Sequence, residues 1–158
     1  MHDIKMKSII LLILIFPSIL LANVCVELPS FETEKYSFRD DIDIAMSDGV
    51  QIHGNLFSPK TDSSKLPLII FVNSWVLEEH EYFAQAKKLA EKGYLVFSYS
   101  TRGWGCSGGK VDVIGPRDIA DLETVLDWLE KETPVDVKNI GMSGISYGGG
   151  MSLIAAAK

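Results

Sequence analysis

This chain has little of what most often announces a function. Its three histidines, His2, His53 and His80, all lie well before the chain's last third, and residues 147–158 hold no Asp, Glu or His. Two cysteines, Cys25 and Cys106, are too few for a disulfide scaffold, and the sequence leaves their pairing open. No Lys/Arg cluster stands out and the formal charge is −6, which argues against a nucleic-acid surface. There is no internal repeat and no low-complexity linker. With 158 residues and 47% apolar content, the chain can bury one core but not two ordinary domains.

The one long apolar run lies at the start. Lys5 and Lys7 precede an almost wholly apolar stretch over residues 8–22, which ends at Ala22. That is the basic-then-apolar pattern of a secretory signal, with cleavage expected after Ala22. The run is short for a membrane span and Pro17 interrupts it. The expectation is therefore export, periplasmic or secreted, with an uncleaved N-terminal anchor as the alternative and no other contact with a membrane. Residues 23–35 read as an irregular lead-in, and residues 36–158 as the folded part.

Within that part, residues 36–45 and 50–57 alternate around the turn signal Ser47-Asp48-Gly49, predicting a hairpin. Leu66–Val72 is continuously apolar, the mark of a strand covered on both faces. A helix is predicted over residues 78–92, with Phe83, Ala86, Leu89 and Ala90 on one stripe and Gly93 as its stop. Residues 94–99 form a second buried strand. Pro116 opens a helix carrying Ile119, Leu122, Leu126 and Leu129 on its inner face. A strand over 137–142 and a helix over 147–157 complete the order. A hairpin followed by β-α-β-α-β-α predicts an α/β fold: a mostly parallel sheet with helices on its faces.

The last strand and helix meet at Gly144-Ile145-Ser146-Tyr147-Gly148, a G-x-S-x-G arrangement. A serine on such a turn projects its hydroxyl clear of the sheet. A serine hydroxyl is a weak nucleophile and needs exposure, a base, and donors for the negative charge that develops. The Tyr147 backbone N–H, at a helix N-terminus, meets part of the last need. The second donor is expected from the loop after the Leu66–Val72 strand, with Ser74 and Trp75 as candidates. Gly103-Trp104-Gly105-Cys106-Ser107-Gly108 spells the glycine pattern of a dinucleotide site. That site requires a helix to open inside the glycines, whereas residues 110–115 intervene before Pro116. No cofactor and no metal are expected. His53 reads as structural, and His80, beside Glu78, Glu79 and Glu81, as a surface histidine.

Taken in order, these segments resemble the X-prolyl dipeptidyl peptidase-like serine hydrolases, which include the cocaine esterase type of acyl esterase. Four stretches carry the resemblance: Ser47-Asp48-Gly49-Val50 with Leu56-Phe57-Ser58-Pro59, the loop Arg102-Gly103-Trp104-Gly105-Cys106-Ser107-Gly108-Gly109, the helix ending Asp127-Trp128-Leu129, and Gly144-Ile145-Ser146-Tyr147-Gly148-Gly149. The resemblance implies the N-terminal portion of an α/β-hydrolase fold, and a serine hydrolase acting on a small-molecule ester or a peptide. It also implies a catalytic Asp and His placed after the serine in chain order. Two departures stand out. Where the family often has an oxyanion-assisting tyrosine, this chain reads Asn73-Ser74-Trp75, and Ser100-Thr101 replace the aspartate that often precedes the arginine-glycine loop. The expectation is a fragment that lacks its triad Asp and His. The competing reading is a catalytically inactive truncated pseudo-hydrolase or binding module with an exposed sheet edge.

Overall fold

The computed structural model describes Leu28 and residues 31–157. The expected signal and about half of the lead-in, residues 23–27, 29 and 30, lie outside them. Among the described residues, no helix is long and apolar enough to cross a membrane.

Five strands form one sheet: β1 (Tyr36–Ala45), β2 (Gln51–Pro59), β3 (Leu66–Val72), β4 (Leu95–Tyr99) and β5 (Val135–Ser143). Their spatial order is β1-β2-β4-β3-β5. β1 and β2 form the expected antiparallel hairpin, and β2 runs antiparallel to β4. β3 lies between β4 and β5 and is parallel to both. The helices are α1 (Phe83–Ala90), α2 (Pro116–Glu132) and α3 (Tyr147–Ala156).

The apolar content of the strands explains this arrangement. Every residue of β4 is buried, as a strand covered on both faces requires. One core, built on Ile70, Val72, Phe97 and Tyr99, is closed by Leu122, Val125 and Leu129 of α2 and by Met151 of α3. The other face carries Phe57, Phe71 and Val96 beneath Ala86 and Ala90 of α1. Each helix therefore covers the face toward which its apolar stripe points.

Two elements differ from expectation. The helix predicted over 78–92 begins as a short 3₁₀ turn, Glu79–Tyr82, before α1. This turn carries Glu79 and Tyr82 inward, so that both are buried. β5 starts earlier than its apolar pattern suggests, because Val135 pairs with Leu66 while the regular ladder resumes only at Ile140 with Leu68. The excursion between them is closed by the Asp136 carboxylate, which accepts the Lys138 N–H at 3.1 Å and the Asn139 side-chain amide.

This topology fixes where a site can form. The chain leaves β3 toward α1 on one face, and leaves β5 toward α3 on the other. Adjacent parallel strands whose continuations diverge in this way open a crevice at their carboxyl ends.

Candidate active site

Ser146 stands at the head of that crevice, on the turn from β5 into α3. Its backbone lies at φ 54°, ψ −110°, a left-handed conformation that non-glycine residues rarely adopt and that costs about 1–3 kcal/mol. Its side chain is exposed. The two flanking glycines are required by close approach rather than by their own dihedrals. A Cβ on Gly144 would lie 2.6 Å from the Gly148 carbonyl carbon, and one on Gly148 would run into the carbonyl oxygen of Val72. The second contact seats α3 directly on the end of β3.

The loop leaving β3 is held at both ends. Asn73 is fully buried, its amide donating to the carbonyls of Ser74 at 2.9 Å and Leu77 at 3.0 Å. The Asn73 side-chain oxygen accepts the Thr101 N–H at 2.9 Å. The Ser74 N–H donates to Glu81 Oε2 at 2.8 Å, and the Ser74 hydroxyl to Glu81 Oε1 at 2.9 Å. Trp75 follows, 45% exposed, its ring set edge-on against Trp104 at 5.0 Å and Tyr147 at 5.8 Å.

Tyr147 is buried, and its hydroxyl donates to the Asp118 carboxylate while accepting the Ile114 N–H at 3.3 Å. Burial pushes the Tyr147 phenol well up, and the Asp118 hydrogen bond adds to the rise. Burial also raises Asp118, against the lowering effect of its hydrogen bonds from Tyr147 and Ile114. A carboxyl raised in the fold binds its proton more tightly there than in the unfolded chain. Its stabilising contribution is therefore present below the unfolded value and lost as pH rises through the folded one. Asp118→Asn should flatten the fall in stability as pH rises above the ordinary carboxyl range, about pH 4. Urea midpoints across that rise measure it, and an unchanged slope would assign the dependence to other groups.

The arginine-glycine loop is tied into the scaffold. The Arg102 guanidinium bridges both oxygens of Asp121, at 2.7 and 2.6 Å, and reaches Asp48 in the hairpin turn at 3.0 Å. The Ser107 hydroxyl donates to the Ser100 carbonyl at 2.6 Å and accepts the His53 N–H at 2.8 Å. No helix opens between Gly103 and Gly109, so the glycines close a turn and present no helix N-terminus. Cys106 in this loop is disulfide-bonded, and Cys25, the other cysteine of the sequence, lies outside the described residues.

Both described histidines are engaged away from Ser146. His53 Nδ1 lies 2.7 Å from Asp43. His80 differs from the surface residue expected: its side chain is only 17% exposed, with Nε2 3.0 Å from Asp40 and 3.3 Å from Glu79 and its ring against Phe83. The 3₁₀ turn lays it onto the hairpin, which periodicity computed for a regular helix does not register. Among the described residues, no side chain hydrogen-bonds the Ser146 hydroxyl. The sequence reading also missed Asp118, Asp121, Glu81 and Tyr82. Spacing held a signal for several of them: Tyr82, Ala86 and Ala90 share one stripe, as do Asp118, Asp121, Leu122 and Val125.

The family profile of the X-Pro dipeptidyl-peptidase (S15 family) matches residues 48–158. An uncharacterized peptidase of Bacillus subtilis is 32% identical over 126 residues, covering 73% of this chain and 19% of that protein. The cocaine esterase of a Rhodococcus species is 30% identical over 118 residues, covering 71% and 20%. Among solved structures, the α/β hydrolase GrgF from a Penicillium species superposes with a TM-score of 0.64 at 25% identity, covering 77% of this chain and 41% of its own. Acetyl xylan esterase 1 from a Thermoanaerobacterium species reaches 0.68 at 22% identity, over 83% and 47%, and attests the fold alone. The chain thus spans about a fifth of the length of the peptidase and the esterase it matches. It belongs to the X-Pro dipeptidyl-peptidase family, and its five strands form the N-terminal portion of an α/β-hydrolase fold.

Proposed function

We propose that Ser146 is the nucleophile of an exported serine hydrolase that cleaves an ester or a peptide bond. The observation that carries this reading is the backbone of Ser146, left-handed and exposed between β5 and α3, where glycines alone permit the packing. In the proposed reaction the Ser146 hydroxyl attacks the carbonyl carbon and loses its proton to an imidazole. The resulting oxyanion takes hydrogen bonds from two backbone N–H groups, the acyl-enzyme forms as the leaving group departs with a proton, and water then releases the acid. Tyr147 N–H is one donor. Of the two candidates for the other, Trp75 is the better, because the Ser74 N–H already donates to Glu81.

The base and its orienting carboxylate are assigned to sequence beyond this chain, as the family order of Ser, Asp and His requires. A cleaved signal over residues 1–22 would deliver the protein outside the cytoplasm, and the bonded state of Cys106 supports an oxidising compartment. The alternative, an inactive binding module, draws support from the engagement of both described histidines elsewhere. A fluorophosphonate probe decides between them. Applied to the protein at the full natural length of its gene, it should modify Ser146 and leave the Ser146→Ala variant untouched. A folded full-length protein that resists the probe would retire the nucleophile assignment.

A further inference from the structure

The two backbone donors proposed above sit on different loops, and nothing in the sheet alone fixes the distance between them. A polar connection runs between those loops through two consecutive side chains of the 3₁₀ turn. On one side, Glu81 accepts the Ser74 N–H at 2.8 Å and the Ser74 hydroxyl at 2.9 Å. On the other, the Tyr82 hydroxyl accepts the N–H of Ile145, the residue before Ser146, at 2.9 Å. The two halves are joined through the backbone, because Glu81 and Tyr82 are consecutive residues of the 3₁₀ turn. Tyr82 cannot swing away: it is buried, and its ring stacks on Phe71 of β3 with centroids 4.7 Å apart and planes 9° from parallel.

We infer that Glu81 and Tyr82 are positioning residues that set the spacing of the oxyanion donors at Trp75 and Tyr147; the inference rests on the hydrolase reading given above. Two features of the loops call for such a clamp. Val76, next to Trp75, is held at φ 62°, a conformation that a β-branched side chain resists. Such strain persists only where surrounding bonds over-determine it, and Glu81 supplies two of them through Ser74. Ser146 is strained in the same sense, and Tyr82 holds the peptide that enters it. Glu81 also occupies the Ser74 N–H, which leaves the next amide along the loop as the donor. A carboxylate suits this role because it accepts several hydrogen bonds at once and is stronger toward N–H than a neutral acceptor.

The clamp predicts a loss in acylation rather than in binding. In the full-length natural protein, Glu81→Ala and Tyr82→Phe should each slow fluorophosphonate modification of Ser146 by about 10-fold to 100-fold at saturating probe, a fraction of the cost of losing one oxyanion donor outright. Half-saturating probe concentration should change less than threefold. Glu81→Gln keeps an acceptor and should recover most of the rate. Tyr82→Phe retains the stacked ring and guards against a variant that simply unfolds, with near-ultraviolet circular dichroism as the check. Unchanged rates in a folded Tyr82→Phe protein and in Glu81→Ala would overturn the clamp while leaving Ser146 as the nucleophile. A parent protein that does not react at Ser146 would overturn the hydrolase reading and the clamp together.

Discussion

Replacing Arg102 by alanine should destabilise the fold by about 3–5 kcal/mol, among the largest effects any single substitution outside the strands can have here. The magnitude follows from what is left behind. The Arg102 side chain is 3% exposed and that of Asp121 is 5%, and the two share a bidentate pairing at 2.7 and 2.6 Å. Two parallel N–H···O bonds in a planar fork are the strongest arrangement these groups can form. The Asp121 hydrogen bonds hold the guanidinium well above its ordinary range, against the opposing effect of burial. Without Arg102, the Asp121 carboxylate would remain in the interior with no counter-charge. Arg102→Lys preserves the charge but not the fork, and should lose an intermediate amount. Arg102→Met combined with Asp121→Leu removes both charges at similar volume and should recover much of the stability. Urea denaturation of all three variants tests the account, and an Arg102→Ala protein within about 1 kcal/mol of the parent would mean that the pair is not dry.

That pair also shows where sequence reading succeeds and where it stops. β1 and β3 follow their apolar patterns to the residue, because a strand's burial is written at period two or as an unbroken apolar run. The strand-turn-helix around Ser146 was equally legible, since glycine two residues to either side marks a turn packed too closely for any side chain. Charges inside the fold were not legible. Asp118 and Asp121 fall in the first turns of α2, where an acid is expected for the helix dipole alone. Nothing local to those positions reveals that Tyr147 and Arg102 arrive from 29 and 19 residues away. His80, beside Glu78, Glu79 and Glu81, reads from the sequence as a surface histidine. The structure separates them: Glu79 is buried with the Ser100 hydroxyl donating to it, Glu81 turns to Ser74, and His80 turns to Asp40. A run of like residues on a 3₁₀ turn sends neighbours in three directions, and only tertiary partners decide which.

The second large effect concerns turnover, and it separates what this chain contains from what it does not. In the full-length natural protein, Ser146→Ala should lower kcat for a nitrophenyl ester by about 10⁶-fold, the cost of removing a triad member where all three act as a unit. In a chain of residues 1–158 alone the same substitution should change nothing, because on the proposed reading the starting rate would already be at background. A serine without a base is scarcely more nucleophilic than water, and both described imidazoles are committed elsewhere. His80 Nε2 would have to leave Asp40 at 3.0 Å and Glu79 at 3.3 Å, breaking contact with a carboxylate that is fully buried. His53 would have to abandon Asp43 at 2.7 Å. Burst kinetics with nitrophenyl acetate on both lengths, each with and without Ser146, gives the four rates needed. Ser146-dependent turnover in the short chain would sink the missing-base account, and His80→Ala and His53→Ala would then name the surrogate. Equal, serine-independent rates at both lengths would instead favour the inactive binding module, for then the strain stored at φ 54° would be an inheritance that no chemistry uses.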